Sequence, residues 1–217
     1  MPLALLVLEN AWTSDAFDGL SVLPFVEGLA RYSYDAVRIF AKPFYRKEEL
    51  GLWLEDFRRR KRGVSQRIVY VAAHGTPGRV GGLPDGRGAI NFETFHDLLR
   101  SAGRIDGVHL GCCDFGNREN VDRLLRPDRR RAHSVPCRWV TGYDSAIDWF
   151  DSMLIDLVFW RHLLGNSHHD AWKAGLKTYG HYPRSLELGF TVFRNGPGGR
   201  LETSRDLYPE QKAKRGD

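Results

Sequence analysis

The 217 residues carry 32 Lys and Arg against 27 Asp and Glu, a net charge of +5, with 42% hydrophobic and 12% aromatic residues. A chain of this length buries roughly 70% of its unfolded surface and holds a core without staples. No run of 18 apolar residues occurs, which excludes a membrane-spanning helix. Three cysteines, Cys112, Cys113 and Cys137, make an odd count that argues against a disulfide framework.

The opening MPLALLVLEN has no basic n-region and no small-residue cleavage site, so it reads as a strand and the protein as cytoplasmic. From there, short β-rich runs alternate with helical patterns. The strands expected are 4–8 (ALLVL), 36–40 (AVRIF), 67–73 (RIVYVAA), 107–112 (GVHLGC) and 138–142 (RWVTG), with 186–194 (LELGFTVFR) as a sixth. Helical periodicity covers 22–32, 47–60, 92–102, 118–125 and 146–164, with Gly or Pro at most junctions. Such alternation predicts a three-layer α/β/α sandwich, a mainly parallel sheet of about six strands with helices on both faces.

Residues 76–90 (TPGRVGGLPDGRGAI) break the rhythm: five glycines and two prolines favour turns, and Pro84-Asp85-Gly86 is a hairpin signal. A flap over a site is one use of such a loop. Residues 195–199 read as a turn and 211–217 as a disordered tail, leaving 1–210 as one domain. The basic clusters 58–62 (RRRKR) and 126–131 (RPDRRR) fall where helices end and complement the helix dipole. They read as solvated helix ends rather than as nucleic-acid contacts.

In a sheet of this kind, ligands and catalytic groups gather beyond the carboxyl ends of the strands. The third expected strand runs into His74-Gly75 and the fourth into Cys112-Cys113. Between them, one loop and one helix suffice for a parallel crossover. A thiolate is a nucleophile, and a nearby imidazole lowers the thiol's pKa or carries protons to a leaving amine. Gly75 permits close substrate approach, and its backbone N–H and that of Cys113, both at strand-to-loop breaks, suit an oxyanion hole. Adjacent cysteines lack the residue gap of ordinary zinc sites, so no metal is assigned. His168-His169 reads as a polar helix start, Cys137 as structural, and Trp139, Trp149, Trp160 and Trp172 as packing anchors.

The order of hydrophobic strand, His-Gly, spacer, hydrophobic strand, small residue and Cys resembles the caspase-like (clan CD) cysteine peptidases. It is most similar to their CHAT subfamily, whose nucleophile lies in a small-Cys-x-x-Gly context matched by residues 112–116 (CCDFG). The resemblance spans about 69–177 and selects Cys113 over Cys112 as nucleophile, with Cys112 where the family usually has Ala. Residues 139–160 look like the family's strand, acidic turn and long helix, and 159–177 like its closing helix pair. It implies a cysteine endopeptidase that uses no cofactor and takes a protein or peptide substrate. It also implies an acid after the next strand that binds the side chain preceding the cleaved bond. Asp144 matches best and Asp148 second; for Asp144 an N-cap of the helix expected near Ala146 is the competing role. A regulatory protein or a second copy of the chain is compatible as partner, a membrane is not, and nucleic acid is disfavoured. A catalytically inactive caspase-like interaction module is the alternative.

Overall fold

The computed structural model describes residues 1–12, 20–33, 37–60, 63–82, 86–126, 137–166 and 168–208. The first half of the chain builds β1 (Leu3–Glu9), α1 (Leu23–Tyr32), β2 (Val37–Pro43), α2 (Lys47–Arg59) and β3 (Arg67–Ala72). Three two-residue strands follow, β4 (Gly75–Thr76), β5 (Arg79–Val80) and β6 (Ile90–Asn91), then α3 (Phe92–Ser101), β7 (Gly107–Gly111), α4 (Arg118–Leu125) and β8 (Trp139–Tyr143). The remainder forms α5 (Trp149–Leu164), α6 (Ala171–His181), α7 (Arg184–Glu187), β9 (Phe190–Asn195) and β10 (Leu201–Thr203).

The main sheet has seven strands in the order β10-β9-β8-β7-β3-β1-β2. The five from β8 to β2 are parallel, and β9 and β10 each run antiparallel to the strand before. Both faces of its centre are dry, so β1 and β3 are almost continuously apolar rather than alternating. Successive strand residues feed opposite cores. Leu6, Leu8, Val69, Val71 and Leu110 pack under α2, α3 and α4, whereas Leu5, Val7, Ile68 and Tyr70 pack under α1, α5 and α6. The helices start where side chains cap them: Asn91 accepts from Thr94 N, Asn117 from Asn120 N, Asp148 from Phe150 N and Asp170 from Lys173 N.

The three-layer sandwich expected from the sequence is present, with three differences. The sheet holds seven strands rather than about six, because the three residues of β10 are too few to show a pattern. The expected strand 186–194 starts only at Phe190, since the preceding residues coil into α7 and Gly189 reverses the chain at φ +77°. The helix expected from 146 starts at Trp149, where Asp148 caps it. The glycine-rich stretch orders in part as a small antiparallel sheet, β4-β5-β6; Pro84 and Asp85 of its hairpin signal lie outside the described residues, as do 211–217 and most of the 126–131 cluster. In the first basic cluster Arg58 and Arg59 pair with Glu55 and Arg60 with Asp56, and Arg126 pairs with Asp122.

A buried polar group ties the three central strands together. The Asp156 carboxylate, on α5, accepts from Tyr70 Oη of β3 at 2.7 Å and from Tyr143 Oη of β8 at 2.6 Å. His109 of β7 places Nε2 2.9 Å from Asp156 Oδ1, out of hydrogen-bond alignment, while its Nδ1 meets Thr141 Oγ1. Burial first, and then the Asp156 charge, hold both phenols well above their ordinary pKa, so they remain protonated donors. Removing the acceptor strands two buried phenol donors. Asp156→Ala is expected to lower the stability by roughly 2–6 kcal/mol, about 1–3 for each unsatisfied phenol, read as a lower urea midpoint with an unchanged slope; a midpoint equal to the parent's would show the network to be dispensable.

Candidate active site

The order 2-1-3-7-8 places a topological switch between β1 and β3, and at such points the carboxyl ends of the strands open a crevice. β3 and β7 are direct neighbours, with Ala72 opposite Gly111. His74 and Cys113 follow those two residues by the same interval, so the register alone brings imidazole and thiol to one edge of the sheet at one depth.

Pleating separates the adjacent thiols. Cys112 turns into the core, 1% exposed, with Sγ 3.3 Å from the Val71 carbonyl, and burial pushes its pKa well above the ordinary range. Cys137 is also buried and its thiol is pushed up to about 12. Cys113 is half-buried at the edge. Its Sγ lies 3.4 Å from both the N–H and the carbonyl of Ile147, so the main chain after β8 offers the sulfur one donor and one acceptor. The next residue, Asp114, holds φ at +54°, a conformation costly for a non-glycine residue, and its N–H donates to the Ser145 carbonyl.

Two glycines are required by contact. A Cβ on Gly75 would sit 2.3 Å from the Cys113 carbonyl oxygen, and one on Gly116 would sit 2.7 Å from Tyr143 N. The first lets the His-Gly segment lie on the cysteine loop; the second lets that loop lie on β8. Gly81 N donates to the His74 carbonyl, which makes residues 74 and 81 a hydrogen-bonded pair of the small hairpin. By the alternation of antiparallel ladders, Gly75 is then a non-hydrogen-bonded partner of Val80, and its N–H is directed away from β5. Asn120 clamps the arrangement: its Nδ2 donates to the Pro77 carbonyl at 2.7 Å and to that of Phe115 at 3.0 Å.

His74 Nε2 lies 2.6 Å from the Trp12 carbonyl. A carbonyl only accepts, so Nε2 carries the proton and Nδ1 is the nitrogen left to gain and lose one. The Trp12 ring stands edge-on to the imidazole at 5.6 Å. No hydrogen bond joins His74 to Cys113. Trp12 and Ile147 were not among the residues expected from the sequence. Trp12 was within reach of the strand-end rule, since it follows β1 on the same edge, whereas a main-chain contact such as that of Ile147 leaves no mark in residue type.

The two acids expected to bind substrate take different places. Asp144 follows β8 and pairs with Arg205 at 3.0 Å, both part-exposed. Asp148 is the N-cap of α5, its Oδ1 accepting from Phe150 N and Asp151 N, which corrects the N-cap role weighed for Asp144. His168 and His169 precede α6 rather than start it. Among the described residues no cluster of three metal-ligating side chains occurs, and no helix is long and apolar enough to cross a membrane.

No protein-family model matches the chain, and no curated protein matches it in sequence. Solved structures do. The X-ray structure of iotapain, a secreted C11 cysteine protease from Bacteroides thetaiotaomicron, superposes with a TM-score of 0.62 at 10% identity, over 89% of this chain and 66% of that one. A secreted C11 cysteine protease from the same organism, in complex with an irreversible peptide inhibitor, gives 0.56 at 9% identity over the same shares. The fold is the caspase-like fold of the C11 proteases. This chain spans 66% of their length. The caspase-like architecture expected from the sequence is thereby supported; the CHAT subfamily is not, since both structures are C11 proteases.

The burial order of the thiols has a direct readout. In the folded protein at pH 8, iodoacetamide is expected to modify Cys113 first. A thiol at about 12, as for Cys137, is only about one part in 10⁴ ionised there. Peptide mapping by mass spectrometry should find Cys112 and Cys137 labelled only in denaturant; early labelling of Cys112 would reverse the assignment.

Proposed function

We propose that this chain is a caspase-like cysteine endopeptidase in which Cys113 is the nucleophile and His74 the proton carrier. The observation that carries the reading is the shared register of β3 and β7, which delivers an imidazole with a defined tautomer and an accessible thiol to one sheet edge. The Cys113 thiol gives its proton to Nδ1 of His74, and the thiolate attacks the scissile carbonyl carbon, forming a C–S bond and a tetrahedral oxyanion. The N–H groups of Gly75 and Cys113 receive that charge. Collapse breaks the C–N bond while the imidazole gives its Nδ1 proton to the leaving amine. Water then gives a proton to Nδ1 as its oxygen attacks the thioester; C–O forms, C–S breaks, the leaving sulfur takes that proton back, and the acid product leaves. The Ile147 N–H, 3.4 Å from Sγ, offers the sulfur a donor that helps hold it in place for attack. None of these steps calls on a cofactor.

For the substrate, Asp144 is favoured over Asp148, whose Oδ1 is committed to two helix N–H groups. Asp144 is part-exposed and already holds a guanidinium, that of Arg205, so an arginine or lysine of the substrate has a carboxylate to compete for. The Cys-x-x-Gly motif supports the CHAT resemblance and the superpositions support the C11 one; the chemistry is the same under either. Three free thiols support a reducing, cytoplasmic setting. The internal pairing of the described arginine clusters supports a peptide rather than a nucleic acid as partner.

A peptide-library cleavage assay tests the proposal. Cys113→Ala and His74→Ala are each expected to lose at least about 10³-fold in kcat/KM, while Cys112→Ala retains turnover. Asp144→Asn should flatten any preference for Arg or Lys before the cleaved bond. Cleavage undiminished in Cys113→Ala would refute the dyad. Absence of both cleavage and preferential Cys113 labelling would instead favour the inactive interaction module.

A further inference from the structure

The geometry points to Glu9 as a positioning residue for His74, an inference that rests on the peptidase reading above. Glu9 ends β1 beside the switch point, and its backbone is set in the sheet between Pro43 of β2 and Ala72 of β3. Its carbonyl accepts from Phe44 N at 2.9 Å, and the following Asn10 N donates to the Ala72 carbonyl at 3.0 Å. The side chain thus grows from a root shared with the strand that carries the imidazole.

Its carboxylate receives three donors. Oε1 accepts from Trp12 Nε1 at 2.9 Å and from Val22 N at 2.8 Å, and Oε2 accepts from Ser21 Oγ at 2.7 Å. Ser21 Oγ in turn accepts from Leu23 N at the first residue of α1. One acid therefore ties the segment leaving β1 to the segment entering α1. What it holds most directly is Trp12, and Trp12 grips His74 twice, through the carbonyl at Nε2 and through the ring edge.

The Trp12 carbonyl keeps the proton on Nε2 and so reserves Nδ1 for the reaction. With the indole released, the carbonyl moves, the two imidazole tautomers compete, and the ring turns about its side-chain torsions. Substrate contacts at Cys113 and Asp144 are untouched by this, so the loss falls on turnover. A carboxylate suits the role because it is an acceptor at both oxygens. Gln nearly matches it: its carbonyl still takes the Trp12 and Val22 donors, and its NH2 faces a Ser21 hydroxyl that can reverse. Ala supplies nothing.

The full chain with 15N-labelled histidine, the His74 signals assigned by His74→Ala, reads the tautomer in long-range 1H–15N correlation spectra, independently of any substrate. The parent is expected to show the Nε2–H form, Glu9→Ala a mixture, and Glu9→Gln the parent pattern. On the best library peptide, Glu9→Ala should lose roughly 10- to 100-fold in kcat with KM nearly unchanged, and Glu9→Gln should recover most of it. If Glu9→Ala does not fold, Trp12→Phe, which keeps a ring and removes the indole donor, should shift the tautomer in the same direction. A folded Glu9→Ala with the parent tautomer and the parent kcat overturns the inference, as does an unshifted tautomer in Trp12→Phe. Failure of the peptidase reading shows separately, as cleavage surviving in Cys113→Ala, while the tautomer readout stands by itself.

Discussion

The parallel pairing of β3 with β7 is the constraint on which the site depends. These strands are joined by a crossover rather than a hairpin, and side-chain direction alternates along each with a period of two. A slip of one residue would send Tyr70 and Ala72 to the face now filled by Val69 and Val71, and would carry His74 out of step with Cys113. Burial on both faces forbids that slip, because one face needs aliphatic residues and the other needs the Tyr70 hydroxyl at Asp156. The site inherits its precision from packing below it.

The same pleat explains how neighbouring cysteines acquire different chemistry. Cys112 faces the core, where no water stabilises a thiolate. Cys113 faces the edge, where the main chain of Ile147 meets it. The loop that makes this turn packs closely on its neighbours because side chains are absent at Gly75 and Gly116, and it turns through one strained residue, Asp114. Strain of this kind persists only where surrounding contacts over-determine the backbone. Here Asn120 and the Ser145 carbonyl supply them.

The edge of the sheet collects groups from five chain segments: the end of β1 with Glu9 and Trp12, the His74-Gly75 hairpin, the cysteine loop, the turn after β8, and Arg205 near the end of the described chain. Superposition on proteases of about 10% identity shows the sheet and layers to be shared. It does not carry over the contacts at this edge, which belong to this chain's own residues.

Much of this was legible in the residues themselves. Short β-rich runs alternating with helical patterns announced a sheet covered on both faces, helical periodicity with Gly or Pro at the junctions marked helix starts to within a few positions, and His74 and Cys113 stood out because strand ends are where an α/β sheet exposes functional groups. Those features are local, written in hydrophobicity and turn chemistry over a few neighbours. The tertiary structure decided what depends on distant partners: that β3 adjoins β7, that Asp148 rather than Asp144 caps α5, that Asp144 meets Arg205, and that the carbonyl of Trp12 holds the imidazole. Such contacts run through backbone atoms every residue possesses, or through side chains dozens of positions apart, and neither leaves a periodic trace in the sequence.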